Sequence, residues 1–515
     1  MGDGRGKGAG FLGAVILLGW LVVPPSSWGQ DLPPSILADQ YLLAIKKHAE
    51  AGEHHKAAGK FKKILELDVE VPPVFWYHYG RNFQARNKPI EAKKALTKYV
   101  SLTGRQGKHY TEALERLNTV TPKAKARKAE QAERRRIQER AERQGLIRTL
   151  DNPARGKGDK FGTRVAIGAH GSHILIGAPH AQNRLGQVYL FDPEGRFQRD
   201  LLRGLRGIPH DEYEWCQFGY SMGVSADGSR FFLGSAADPD CGGQILLTEK
   251  GVQRFTGTGP SYHEVFGHPV ALAGDGSRLL VSNGNQKKTS LLSGQGDLLQ
   301  TFENPASAGV SHSALALSGN GHRILIGYME EHSPRKNVGR AYLFNAEGDV
   351  LRHFSDPTPT SEDLFGADVA MTPDGRRILI GAPGDDSAET DVGQAHLFDA
   401  EGNLLRTYDD PTPTGRKGYG DRFGSAVAIS GDGTRVLIGA PGHRPSYNSS
   451  GEAHLFDPEG NLLRSFDDPT PTGLSHFGES VAISADGTRI LIGAPDDSTI
   501  AFQAGQAHLF DASDL

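Results

Sequence analysis

Cysteine is nearly absent: the 515-residue chain has two, Cys216 and Cys241. That excludes a fold held by a disulfide framework and any zinc site built from four cysteines. No charge of either sign dominates. The net formal charge is -4, so there is no global basic field of the kind that attracts nucleic acid. Long hydrophobic runs are missing except over residues 11–23, and no other segment is apolar enough to cross a bilayer. Also missing are a G-x-S-x-G elbow, an H-E-x-x-H pair, a P-loop and a cysteine nucleophile with a partner in a known local pattern. Glycine, by contrast, is abundant at 66 residues, and much of it sits in turns that recur.

Residues 1–29 read as a secretory signal peptide. Arg5 and Lys7 form a basic start, residues 11–23 an apolar run, and Ser27 and Gly29 offer small residues around a cleavage site. The run falls short of the about 20 residues a comfortable span needs. An uncleaved N-terminal anchor is the competing reading. Either one places the body of the protein outside the cytoplasm, secreted or in the periplasm and cell envelope.

Over residues 36–120 helical periodicity takes over. Gly52, Ala57, Phe61 and Ile64 precede Pro72; roughly 35 residues later come Trp76, Gly80, Phe83, Ala92, Leu96 and Tyr99. That spacing resembles the tetratricopeptide repeat, with small residues where paired helices touch and large ones filling between them. The first copy departs from the pattern, with Ile45 and His48 at its glycine and aromatic positions. Residues 110–117 read as a capping helix. Residues 121–144 read as a separate charged linker helix, rich in Ala, Glu, Arg and Gln, without Gly, and with charges all around. A solvated spacer is one reading of it; contact with anionic lipid or another acidic surface is the other.

The remaining two-thirds is one unit repeated. Residues 421–442 read DRFGSAVAISGDGTRVLIGAPG: two short apolar runs around an Asp-Gly turn, the pattern of a β-hairpin. A third strand, GEAHLFD, and a fourth, NLLRSF, follow, and DDPTPTG leads to the next Phe-Gly. Phe-Gly starts fall at Phe161, Phe218, Phe266, Phe365, Phe423 and Phe477, with Ser311-His312 in a degenerate fourth copy. Gly-Ala-Pro begins at Gly177, Gly381, Gly439 and Gly493. Four-strand units at this period predict propeller blades, each burying its faces on its neighbours. The expected fold is multidomain, a tetratricopeptide-like helical domain followed by an all-β seven-bladed propeller of four-stranded antiparallel blades over residues 145–515. The last copy ends at GQAHLFDASDL without a fourth strand, while residues 145–153 read GLIRTLDNP. Residues 146–150 are therefore expected to pair with 507–510 and close the ring.

These Phe-Gly, turn and Gly-Ala-Pro elements resemble the FG-GAP repeat family, best known from the N-terminal propeller of integrin α subunits. The resemblance implies calcium in a D-x-D-x-D-G-x-x-D turn between the first two strands. Here only Asp227, Asp275, Asp374, Asp432 and Asp486 remain of that set; the sixth copy has Ala428, Ser430 and Val436 at other ligand positions. One carboxylate per loop is too few for calcium's six to eight oxygens, so these aspartates are assigned to the turn itself. Asp385, Asp386, Glu389 and Asp391 form a second acidic set, for which a cation site is the alternative to the preferred reading, a solvated loop. His396, His454 and His508 recur at one position where Tyr189 and Tyr342 substitute, which points to a packing and hydrogen-bonding role rather than to a metal ligand. No metal ligand and no cofactor site is assigned.

Two functions stay open. The first is an exported binding, scaffold or adhesion-like protein, its helical repeats engaging a protein partner and its propeller loops a protein or glycan ligand, with peripheral envelope association. The second is a hydrolase acting on glycans or lipids from the central funnel. The divergent loops 209–217, 328–338, 409–422 and 442–450 share the Phe-Gly face. Their aromatics Tyr213, Trp215, Tyr419 and Tyr447 are the candidate binding residues. Cys216 and Cys241 lie on that face too and are expected to form a disulfide, as an exported protein permits.

Overall fold

The computed structural model describes residues 33–67, 69–203, 216–235, 244–248, 251–255, 266–283, 288–303, 305, 314–329, 337–386, 392–414, 420–444 and 451–515. The chain divides into two compact units between Arg135 and Arg136. The first is helical: α1 (Pro34–Glu50), α2 (His54–Glu66), α3 (Pro73–Ala85), α4 (Pro89–Thr103) and the start of α5 (Tyr110–Arg143). Proline stands in the first turn of α1, α3 and α4, where no amide hydrogen is needed. The helices pack as α1 on α2 and α3 on α4. Gly80 lets the second pair close up, since a Cβ there would lie 2.6 Å from Leu96 Cγ. Phe61, Ile64 and Phe75 fill one core, and Tyr77, Leu96 and Tyr99 another. Here the expected boundary fails: the capping and linker helices are one element, Tyr110–Arg143, with Pro122 inside it. The strong helix formers on both sides carry the helix past the proline's missing hydrogen bond.

Among the described residues the second unit holds 28 strands, beginning with β1 (Leu146–Asp151). Sheet I is β2 (Arg164–Ile167), β3 (Ile174–Ala178), β4 (Gln187–Phe191) and β5 (Phe197–Asp200). Sheet II is β6 (Ser221–Val224), β7 (Arg230–Gly234), β8 (Gln244–Thr248) and β9 (Gly251–Phe255). Sheet III is β10 (Phe266–Leu272), β11 (Arg278–Asn283), β12 (Lys288–Ser293) and β13 (Leu298–Glu303). Sheet IV is β14 (Ala314–Leu317), β15 (Arg323–Tyr328), β16 (Arg340–Asn345) and β17 (Val350–Phe354). Sheet V is β18 (Val369–Met371), β19 (Arg377–Ala382), β20 (Gln394–Asp399) and β21 (Leu404–Asp409). Sheet VI is β22 (Ala426–Ile429), β23 (Val436–Ala440), β24 (Glu452–Phe456) and β25 (Leu462–Asp467). Sheet VII joins β26 (Ser480–Ile483), β27 (Arg489–Ala494) and β28 (Gln506–Asp511) to β1.

The sheets form a closed ring. The first strand of each touches the first strand of the next, and β26 touches β2. Second strands such as β19, β23 and β27 are buried almost throughout, because both their faces meet neighbouring sheets. The expectation of a seven-bladed propeller is corrected to six blades and a composite closing sheet. Six blades are self-contained, each four consecutive strands, and the ring is completed by a composite sheet shared between the two ends of the propeller segment. In it β1 runs antiparallel to β28, with Arg148 opposite Leu509, Thr149 opposite His508 and Leu150 opposite Ala507.

The recurrent glycines mark where sheets cross. Phe161, Phe218, Phe365, Phe423 and Phe477 are fully buried, and the glycine after each has φ between +90° and +95°. Phe161, Phe218, Phe365 and Phe423 each donate the amide to the sheet before, as Phe423 does to Val392 O at 2.8 Å. The first glycine of Gly-Ala-Pro then faces the next sheet's Phe-Gly. A Cβ on Gly439 would lie 2.1 Å from Gly478 O, and one on Gly177 2.1 Å from Gly219 O.

At the opposite end, arginines sew the hairpin turns together. Arg230, Arg278, Arg323, Arg377 and Arg435 each donate to a glycine carbonyl in the next sheet's turn, at Gly276, Gly321, Gly375, Gly433 and Gly487. The turn aspartates bond within their own turns. Asp432 accepts from Ser430 Oγ at 2.6 Å and Thr434 N at 2.9 Å, and Asp227, Asp374 and Asp486 repeat the arrangement.

Candidate functional site

Of the residues singled out from sequence, Tyr213, Trp215, Tyr419 and Tyr447 lie outside the described residues, as do Glu389, Asp391, Ser311, His312 and the signal segment 1–29. Cys216 is buried in the core between sheets I and II and is disulfide-bonded; Cys241 lies outside the described residues. No described helix is long and apolar enough to cross a membrane.

What the structure does bring together, at the Phe-Gly end of the ring, is a polar cluster beneath the connections into sheets I, V, VI and VII. Its first member is the aspartate of the Asp-Pro-Thr-Pro-Thr segments, Asp356, Asp410 and Asp468, with Asn152 in the corresponding place before sheet I. In every copy Oδ1 accepts the amide two residues on: Thr358, Thr412 and Thr470 at 2.8 Å, and Ala154 at 3.0 Å. The second member stands two residues before the Phe of Phe-Gly: Asp363, Asp421, Ser475 and Asp159. The third follows Gly-Ala-Pro: Asp385, His443, Asp497 and Ala181. The fourth and fifth come from the third strand: Gln394 and His396, Glu452 and His454, Gln506 and His508, Gln187 and Tyr189. All are buried.

The three strand histidines are fixed alike. Each Nδ1 meets a fourth-strand hydroxyl, Thr407 at 3.1 Å, Ser465 at 2.9 Å and Thr149 at 3.1 Å. Each ring packs beside the Phe of Phe-Gly, centroids 5.5–5.9 Å apart. Burial holds all three imidazoles low, at about 4, so they are neutral. Nε2 then points at the Asp-Pro carboxylate: 3.9 Å from Asp410 Oδ1 in sheet VI and 3.8 Å from Asp468 Oδ1 in sheet VII. The rings thus pack and hydrogen-bond through Nδ1 as expected, while Nε2 of each has no hydrogen-bond partner.

The clusters differ in how the first and second members are matched. In sheet I, Asn152 Nδ2 donates to Asp159 Oδ2 at 2.8 Å. In sheet VII, Asp468 accepts from Ser475 Oγ. Sheets V and VI instead set acid against acid, Asp356 with Asp363 and Asp410 with Asp421. Burial pushes Asp356 up to about 7 and Asp410 up to about 6, with repulsion from neighbouring carboxylates adding to it.

In sheet VI the third member answers this. His443 Nε2 is 3.2 Å from Glu452 Oε1, and Nδ1 is 3.9 Å from Asp421 Oδ2, too far for a hydrogen bond but near enough for ionic attraction. Burial disfavours its charge, yet the two carboxylates outweigh burial and raise it to about 10, while Glu452 falls to about 2. Because the folded value lies above the ordinary 6.5, His443 stabilises fully below pH 6.5 and loses that contribution as pH rises through 10. His443→Gln is expected to cost about 3 kcal/mol at pH 6. The gap from wild type should narrow toward pH 10 in urea titrations; a gap independent of pH over that range would refute the charged state.

The sequence signal for these clusters lies between repeats. Copies with Asp-Pro-Thr carry histidine on the third strand, and those with Asn-Pro-Ala, at Asn152 and Asn304, carry Tyr189 and Tyr342. Compared with known proteins, the chain matches a model of the FG-GAP repeat over residues 356–398 and 418–456. No curated protein matches it significantly. Among solved structures it is similar to the β-propeller domain of Myceliophteria thermophila Cps50 (Swd1), at 14% identity and TM-score 0.47, covering 71% of this chain and 98% of that one. It is also similar to Kuenenia stuttgartiensis hydrazine synthase, at 13% identity and TM-score 0.46, covering 65% and 94%. The chain carries FG-GAP repeats in a β-propeller.

Proposed function

We propose that this chain is an exported protein-binding scaffold, secreted or held at the cell envelope, whose propeller presents its Phe-Gly face to a protein or glycan ligand. The observation that carries this reading is the asymmetry of the ring. The hairpin end is committed to structure: its turns repeat, and arginines tie each to the next through backbone carbonyls. The Phe-Gly end carries the connections that differ in length and sequence from copy to copy, where recognition usually resides. The acid and histidine clusters sit under third strands rather than along the innermost strands, so they lend no support to a hydrolase in the funnel. We read the paired helices as tetratricopeptide-type repeats engaging a second protein. A groove of about 550 Å³ between α4 and α5 is lined by Lys93, Lys94, Lys98, Lys125 and Lys128 over Ile90 and Ala124, which suits an acidic segment.

Partners captured by the full chain from an envelope extract identify a ligand for titration. Alanine at Trp215 or Tyr419 is expected to weaken its binding about 30-fold or more, as at an aromatic hot spot. Replacements in the Pro458-Glu459-Gly460 turn should leave it unchanged. Equal loss from both sets would sink the assignment.

A further inference from the structure

We propose that the Asp356, Asp385 and His396 cluster of sheet V is a divalent-cation site of the zinc class. One ligand atom from each of the three lies within 4.8 Å of the others, and all three residues are buried. Two independent observations point to a ligand. First, Asp356 Oδ2, His396 Nε2 and Gln394 Oε1 are buried without a hydrogen-bond partner. In the sister sheets the atom matching Gln394 Oε1 accepts the segment's first threonine hydroxyl, Thr412 to Glu452 at 2.9 Å and Thr470 to Gln506 at 2.6 Å. In all three sheets that hydroxyl also lies 3.3–3.4 Å from the Asp-Pro Oδ1, but in sheet V its other contact is Asp385 Oδ2 at 3.4 Å.

The second observation is the comparison between copies. Sheets I and VII match a donor with an acceptor at the first two positions, and so need nothing more. Sheets V and VI both place acid against acid. Sheet VI resolves this with His443, a built-in cation between Asp421 and Glu452, so the Asp410, Asp421 and His443 group of that sheet is already compensated. Sheet V has a third carboxylate, Asp385, in the place of that imidazole. A cation bound there would do for sheet V what His443 does for sheet VI. One imidazole nitrogen with two carboxylates suits Zn²⁺, which binds nitrogen and takes three protein ligands with a fourth position left open. Calcium wants oxygen ligands in greater number. The geometry orients His396 for this: Nδ1 is occupied by Thr407, leaving Nε2 to coordinate. The site lies at the opposite end of the sheet from the Asp-Gly turns, where the sequence places the remnant of the integrin-like calcium loop.

The test is Zn²⁺ titration of the full chain after chelator treatment, read by calorimetry and by metal content after gel filtration. One tightly held Zn²⁺ per chain and a raised melting temperature are expected. The double variant D356N/H396Y recreates the Asn-Pro and tyrosine pairing that sheet I already folds with, and should bind at least about 100-fold more weakly. The matching variant in sheet VII, D468N/H508Y, should bind as wild type does. No uptake by the wild-type chain, uptake of Ca²⁺ in place of Zn²⁺, undiminished binding by D356N/H396Y, or loss of binding in D468N/H508Y would each overturn the assignment.

Discussion

Gly439→Ala is expected to destabilise the propeller by about 3–5 kcal/mol, among the largest effects of a single methyl group in this chain. The added Cβ would lie 2.1 Å from Gly478 O, a backbone atom of the neighbouring sheet that has no side-chain rotamer to yield. Relief requires moving sheet VI from sheet VII, and a closed ring passes that displacement on to every other sheet. Gly424→Ala adds a second fault: its φ is +92°, and its Cβ would meet Gln394 O at 2.3 Å. A control separates crowding from backbone strain. Gly473 has φ +99° but open space around it, so Gly473→Ala should cost only the strain, about 1–2 kcal/mol. Urea unfolding of the full-length variants decides. Equal losses at Gly439 and Gly473 would show that close approach between sheets is not what these glycines serve.

How legible each feature was in the sequence depends on how plainly it recurs and how local its cause is. The Phe-Gly and Gly-Ala-Pro positions could be read directly because they recur at one place in copy after copy, although the atom Gly439 approaches, Gly478 O, lies in the next sheet. The turn aspartates were legible for a local reason: Asp432 bonds to Ser430 and Thr434, its near neighbours. The closing strand was readable because LIRTLD repeats the pattern of LLRSFD at the far end of the ring. The polar clusters were not. Asp410, Asp421, His443, Glu452 and His454 come from two connections and a strand, and no single stretch shows that they meet. His396, His454 and His508 looked like packing residues because one ring edge does pack, against Phe365, Phe423 and Phe477. The other edge faces a carboxylate contributed by a segment 40 residues or so earlier, about the reach of one repeat. Residue by residue, the exchange of histidine for tyrosine looks like interchangeable bulk. Set beside the matching exchange of Asp-Pro for Asn-Pro, it describes a pair. The helix boundary at 120 was misplaced for a different reason: Pro122 looks like a terminator, but a 34-residue helix has enough turns on either side to absorb it.

Removing β1 should have the largest effect of all. A chain beginning at Asn152 keeps 27 of the 28 described strands but leaves β28 as an open edge, and it is expected to lose the cooperative melting transition of the propeller. β1 contributes in two ways. Leu150, 1% exposed, packs into the core shared with Phe161, Ile176 and Tyr189, so the last strand of sheet VII helps bury the first sheet. Thr149 Oγ1 reaches His508 Nδ1 at 3.1 Å, and Gln506 Nε2 donates to Asp151 Oδ1 at 2.7 Å, so the strand also satisfies buried polar groups of β28. Without it those groups and an apolar edge meet water together, the condition under which sheet edges pair with other chains. Leu150→Asp in the intact chain isolates the first contribution and should cost about 3–5 kcal/mol, the scale for a lost buried leucine plus an unpaired buried carboxylate. A synthetic peptide of residues 145–153 added to the truncated chain is expected to restore the transition, with a midpoint that rises with peptide concentration, because binding to the folded form alone stabilises by mass action. If the truncated chain melts at the temperature of the intact one, or if the peptide leaves its transition unchanged, then the ring does not depend on β1 for closure.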